Sequence, residues 1–69
     1  MGGRVERYYI VKTERSSFIF DPNTLTYTDH RASAYRFTSQ AEALRCKRKY
    51  KKEKELNSVV IQVILKVVA

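Results

Sequence analysis

Arg45, Lys47, Arg48, Lys49, Lys51, Lys52 and Lys54 set seven cations into ten consecutive positions. Guanidinium and ammonium groups at that density do one kind of chemistry, which is to hold anionic oxygen. Phosphate along a nucleic acid and carboxylate on an acidic protein surface are the two partners such a stripe suits. Arg45, Arg48, Lys49, Lys51 and Lys52 are the expected contact residues, since helical spacing turns them largely outward. Specific base readout has little support, because Gln40 is the one amide side chain near that face and Lys-rich stripes recognise charge more readily than sequence. The third reading is a solvated face with no dedicated partner.

Other chemistry is thinly supplied. His30 lies in a polar loop beside Asp29, and one histidine with one cysteine does not make a zinc site. Cys46 has basic neighbours that can lower its pKa, but on this reading it projects away from the packed stripe and no base stands ready to activate it. Asp21 is explained by a turn and Glu42 by a helix cap, which leaves no carboxylate pair for acid–base work. Glycine-rich phosphate loops are absent too. The expectation is a noncatalytic binding protein with no cofactor and no metal.

The elements that carry the stripe follow from residue type. Thr38-Ser39-Gln40-Ala41-Glu42 is a capping box, with Ser39 capping free N–H groups and Glu42 reciprocating. Good helix formers then run to about Glu55, and Asn57 and Ser58 end the segment. Ala43, Leu44, Lys47, Tyr50 and Lys54 share the face expected to pack, with Ala41 at its margin and the lysine stems covering apolar surface. Lys49 with Glu53 and Lys51 with Glu55 are spaced to form ion pairs.

Before the helix, Glu6 to Glu14 is aromatic and β-branched and reads as a strand with apolar residues on both faces. Ser17 to Phe20 forms a second strand, joined by a hairpin whose turn lacks Gly and Asn. Asp21-Pro22-Asn23-Thr24 reverses the chain, and Leu25 to Thr28 follows with Leu25 and Tyr27 on the packed face. Asp29 to Ser33 is a loop and Ala34 to Phe37 a short extended segment. After the helix, Val59 to Val68 is a strand with Val59, Ile61, Val63, Leu65 and Val67 on one face. Its other face carries Val60, Ile64 and Val68, interrupted by Gln62 and Lys66. Such a strand must be central in the sheet or covered by a second copy, so a homo-oligomer is expected, with Val60, Ile64 and Val68 as its interface.

The fold expected is α+β, a small antiparallel or mixed sheet of four to five strands with one helix on one face, in the order β-β-β-(β)-α-β. Residues 1–5 read as a flexible lead and 6–69 as one domain. A chain of 69 residues buries about 60% of its unfolded surface, so its core is small. The formal charge of +7 favours solubility and nonspecific attraction to nucleic acid or an anionic membrane, and says nothing about fold. The helix lacks the large apolar row that would enter a bilayer, and no secretory leader is recognised, so no membrane partner and a cytoplasmic location are expected.

Ser33 to Leu44, preceded by the meander, resembles a pattern in small uncharacterised proteins of bacteriophages and bacteria, where an aromatic strand end leads into a capped helix opening with Glu-Ala. The resemblance implies a small accessory protein that binds another macromolecule, with no active-site residues carried over. Three functions remain open on these grounds. The first is contact with nucleic-acid phosphates through the basic helix. The second is an interaction module or inhibitor binding an acidic surface on a host or partner protein, including one that handles nucleic acid. The third is a structural homo-oligomeric accessory protein.

Overall fold

The structure, a computed structural model, describes residues 4–67. Strand β1 (Arg4–Thr13) leads by hairpin to β2 (Phe18–Asp21), and a second reversal leads to β3 (Thr26–Thr28). A single 3-10 turn (Arg31–Ser33) precedes helix α1 (Gln40–Lys54), and β4 (Ser58–Val67) closes the fold. The sheet is antiparallel throughout, in the order β3-β2-β1-β4. This is the small α+β architecture expected, with one helix packed on a four-stranded sheet. Strand β1 begins at Arg4, two residues ahead of the expected start, and Arg4 and Val5 lie in register with Val67 and Lys66.

Alternation along β1 explains the two-sided packing. Val11 lies on the helix side with Ile19, Leu25, Phe37, Ala43, Cys46 and Tyr50, and Tyr9, Leu56 and Val60 pack against them. Ile10 points the other way and joins Phe18 and Ala34, supported by Tyr8, Ile61 and Val63. Ala34, just after the 3-10 turn, therefore covers part of the second face of the sheet. Arg36 adds its guanidinium over the Tyr8 ring, 4.5 Å from the centroid.

The expected short strand at Ala34–Phe37 is instead a wedge. Strands β1 and β2 are paired at Lys12 and Phe18. The connection fits between them farther along: Tyr35 N–H donates to Ile19 C=O at 2.9 Å, and Tyr9 and Phe37 exchange both backbone hydrogen bonds at 2.9 and 2.8 Å. One bridge, not a strand, results.

Turn chemistry accounts for the reversals. In the first hairpin Ser16 N–H donates to Thr13 C=O at 3.1 Å, Ser16 takes a left-handed φ of 62°, and Thr13 N–H donates to Ser17 C=O at 2.8 Å. This is the three-residue loop that ordinarily recruits glycine at its left-handed position. In the second, Asp21 Oδ1 accepts from Asn23 N–H at 2.9 Å, as its position in the turn predicts. Asn23 does not supply the positive φ. Leu25 does, at 56°, which places it outside β3 and drives its side chain into the helix-side core at 4% exposure. Tyr27 lies on the same side but stays 45% exposed, its ring meeting Tyr50 edge-on at 5.9 Å.

Strand β4 is an edge. Its ten-residue ladder with β1 fills one side, and the other side carries no strand among the described residues. Val59, Ile64 and Leu65 are 54%, 59% and 40% exposed.

Candidate functional site

Helix α1 is positioned by its cap and by its small buried face. Ser39 Oγ accepts from Glu42 N–H at 3.2 Å, the forward half of the capping box. The reciprocal half is redirected, because Glu42 Oε2 accepts from Thr38 Oγ1 at 3.3 Å. Ala43, Cys46 and Tyr50 are the buried helix residues, at spacings of three and four that turn one stripe onto the sheet.

That stripe corrects two expectations. Cys46 belongs to the core, 5% exposed, because it follows Ala43 by three residues and so stands only about 60° around the helix from it. Its thiol pKa is raised by burial, which outweighs the lowering effect of Lys49, so the basic neighbours do not activate it. Lys54 and Ala41 are exposed, not packed, whereas Leu44 and Lys47 are half-buried on one flank.

Of the expected contact residues, Arg45, Arg48, Lys51 and Lys52 are exposed and make no side-chain hydrogen bond or ion pair among the described residues. Lys49 is different. Its Nζ donates to Asn23 C=O at 3.2 Å and reaches Pro22 C=O at 3.5 Å, tying the helix to the turn after β2. Neither Lys49 with Glu53 nor Lys51 with Glu55 closes to an ion pair among the described residues. Lys51, Lys52 and Lys54 occupy the last turn, where the carbonyl end of the helix favours positive charge.

The helix stops at Glu55, which takes a left-handed conformation (φ 57°, ψ 31°) and donates its N–H to Lys51 C=O at 2.9 Å. The chain then doubles back, Leu56 packs on the core, and Asn57 and Ser58 return beside the helix. Between them opens a cleft of about 510 Å³ lined by Leu44, Lys47, Arg48, Lys51, Lys52, Asn57 and Ser58. Sequence reasoning identified the cations but missed the cleft. Its helical wall was written in the spacing, since 44, 47, 48, 51 and 52 lie at i, i+3, i+4, i+7 and i+8.

The expected interface residues of β4 separate. Val60 packs against the helix-side core, Ile64 is exposed, and Val68 lies outside the described residues. His30 is exposed in its loop. Among the described residues no group of three His, Cys, Asp or Glu side chains could hold a metal ion, and no helix is long and apolar enough to cross a membrane. No family model, curated protein or solved structure matches the chain.

Proposed function

We propose that this chain is a noncatalytic binding protein that contacts nucleic-acid phosphates through α1. One observation carries the reading: Arg45, Arg48, Lys51 and Lys52 stand exposed, without side-chain partners among the described residues, on a helix that forms the outer layer of the fold. Long cations with no internal task are available to neutralise phosphates and release condensed counterions. The face offers charge without amide readers, so binding follows backbone geometry and not base sequence. A cytoplasmic location is part of the same proposal.

Fluorescence anisotropy against duplex DNA, single-stranded DNA and structured RNA over a range of salt concentrations tests it. Saturable binding that weakens steeply with salt is expected. Changing Arg45, Arg48, Lys51 and Lys52 together to Gln should lower the salt slope by about one for each phosphate no longer neutralised. Undiminished binding by the folded variant overturns the assignment. An absence of binding near physiological salt redirects the search to an acidic protein surface.

Self-association through β4 is part of the same proposal. An apolar edge strand with exposed Ile64 and Leu65 is suited to pairing with a second copy.

A further inference from the structure

We infer that the cleft between the second half of α1 and the start of β4 is a phosphate subsite that takes one nucleotide unit, with Ser58 Oγ donating to a phosphate oxygen. The inference rests on the nucleic-acid reading above for the body that carries the phosphate. The subsite itself stands on separate geometry.

Ser58 is 6% exposed, and its Oγ is buried without a hydrogen-bond partner among the described residues. Buried hydroxyls are ordinarily satisfied, so an orphan on the wall of a cationic cleft needs a reason. Its direction follows from register. Ser58 pairs with Thr13, two residues from the Val11–Val60 pair that packs beneath the helix, so the side chain projects to the helix side of the sheet. The opposing wall presents Lys47, Arg48, Lys51 and Lys52. Ser58 and four cations lining one cleft make a donor set for phosphate oxygen, and no carboxylate lines it among the described residues.

A neighbouring hollow makes the contrast. It shares Asn57 and Ser58, measures about 280 Å³, and is lined by Lys12 and Glu14, so a carboxylate confronts any anion there. The larger cleft has room for more than a phosphate, lying within the about 300–1,000 Å³ typical of small-ligand sites. Leu44 and the stem of half-buried Lys47 give it an apolar wall for sugar or base. The carbonyl end of α1 opposes an anion, and Lys51 and Lys52 in the last turn offset it.

The experiment is a titration of amide chemical shifts with adenosine monophosphate, inorganic phosphate, adenosine and a short single-stranded oligonucleotide, on the wild type, Ser58→Ala and Lys51→Gln. Saturable shifts at Leu44, Lys47, Asn57 and Ser58 are expected with the monophosphate and the oligonucleotide, and none with adenosine. Ser58→Ala should fold, since it deletes an unpaired hydroxyl, and should bind the monophosphate about tenfold more weakly. Lys51→Gln, at an exposed position, should weaken it also.

Wild-type affinity in folded Ser58→Ala overturns the subsite, as do shifts confined to the outer face with Asn57 and Ser58 unmoved. In either case oligonucleotide binding by the outer face still stands. Response to the monophosphate without response to the oligonucleotide upholds the subsite and overturns the nucleic-acid reading. Silence towards every phosphate probe overturns both.

Discussion

Lys49 donates from its ammonium group to the backbone carbonyl of Asn23 at 3.2 Å, so one cation of the basic stripe holds the helix to the turn that follows β2. Its neighbours have no such attachment among the described residues. The stripe is therefore divided in labour despite its uniform composition.

Lys49→Met should separate the two roles. Loss of an exposed charged donor is expected to lower unfolding stability by about 0.5–1 kcal/mol. It should reduce the salt dependence of polyanion binding less than Arg48→Gln or Lys52→Gln. Chemical denaturation and salt-dependent anisotropy on the three variants provide the check, and an equal or larger effect of Lys49 on binding would place it with the free cations.

Ser16 occupies a left-handed position with φ 62°. Glycine reaches that region without Cβ strain, at some entropic cost in the unfolded chain. Ser16→Gly should raise stability by about 0.5–1 kcal/mol, and Ser16→Val should lower it, since a branched Cβ fits the left-handed region poorly. Thermal melts of both variants test the pair, and a lower melting point for the glycine variant would reject the argument.

Burial raises the pKa of the Cys46 thiol and of the Tyr50 phenol, and proximity to Tyr27 raises the phenol further. A raised folded-state pKa means the folded chain holds its proton more tightly than the unfolded chain does. The contribution is therefore complete below the unfolded pKa values, about 8.5 for a thiol and 10 for a phenol, and is lost as pH rises through the folded values. Denaturant midpoints should stay level to about pH 8 and fall beyond it, with a shallower fall in Tyr50→Phe. Native Cys46 should also resist a maleimide that labels it promptly in denaturant, and rapid labelling of the native protein would contradict its burial.

The exposed edge of β4 predicts association. Sedimentation equilibrium should find a dimer or higher oligomer for the wild type, shifted towards monomer by Ile64→Lys, which places a charge at a 59% exposed position. A monomer at every concentration would remove β4 as an interface.

Much of this was legible locally. Ser39, Glu42 and the run of helix formers marked α1 because capping and propensity act over a few residues. Alternation of Tyr9, Val11 and Thr13 against Tyr8 and Ile10 forecast a sheet packed on both faces. The unread parts depend on distant partners. Whether Val59 to Val67 would be central or at the edge turned on which neighbours β1 accepted, and nothing within β4 states that. Ala34 to Phe37 alternates as a strand does, yet its hydrogen bonds go to Ile19 and Tyr9 on two different strands. The cleft needed both the periodicity of α1 and the left-handed cap at Glu55, and a residue such as Glu does not announce that conformation. Cys46 is a different case. Its place was already in the spacing, three residues after Ala43 and four before Tyr50 on one helix face.

The wedge between β1 and β2 also governs how the molecule comes apart. Phe37 is hydrogen-bonded to the central strand, sits in the helix-side core, and lies two residues before the helix cap. Peeling α1 away drags on that junction, and opening the junction exposes the middle of the sheet. Helix and sheet are therefore expected to share one cooperative unit, with hydrogen exchange at the amides of Tyr9 and Phe37 following opening of the whole domain.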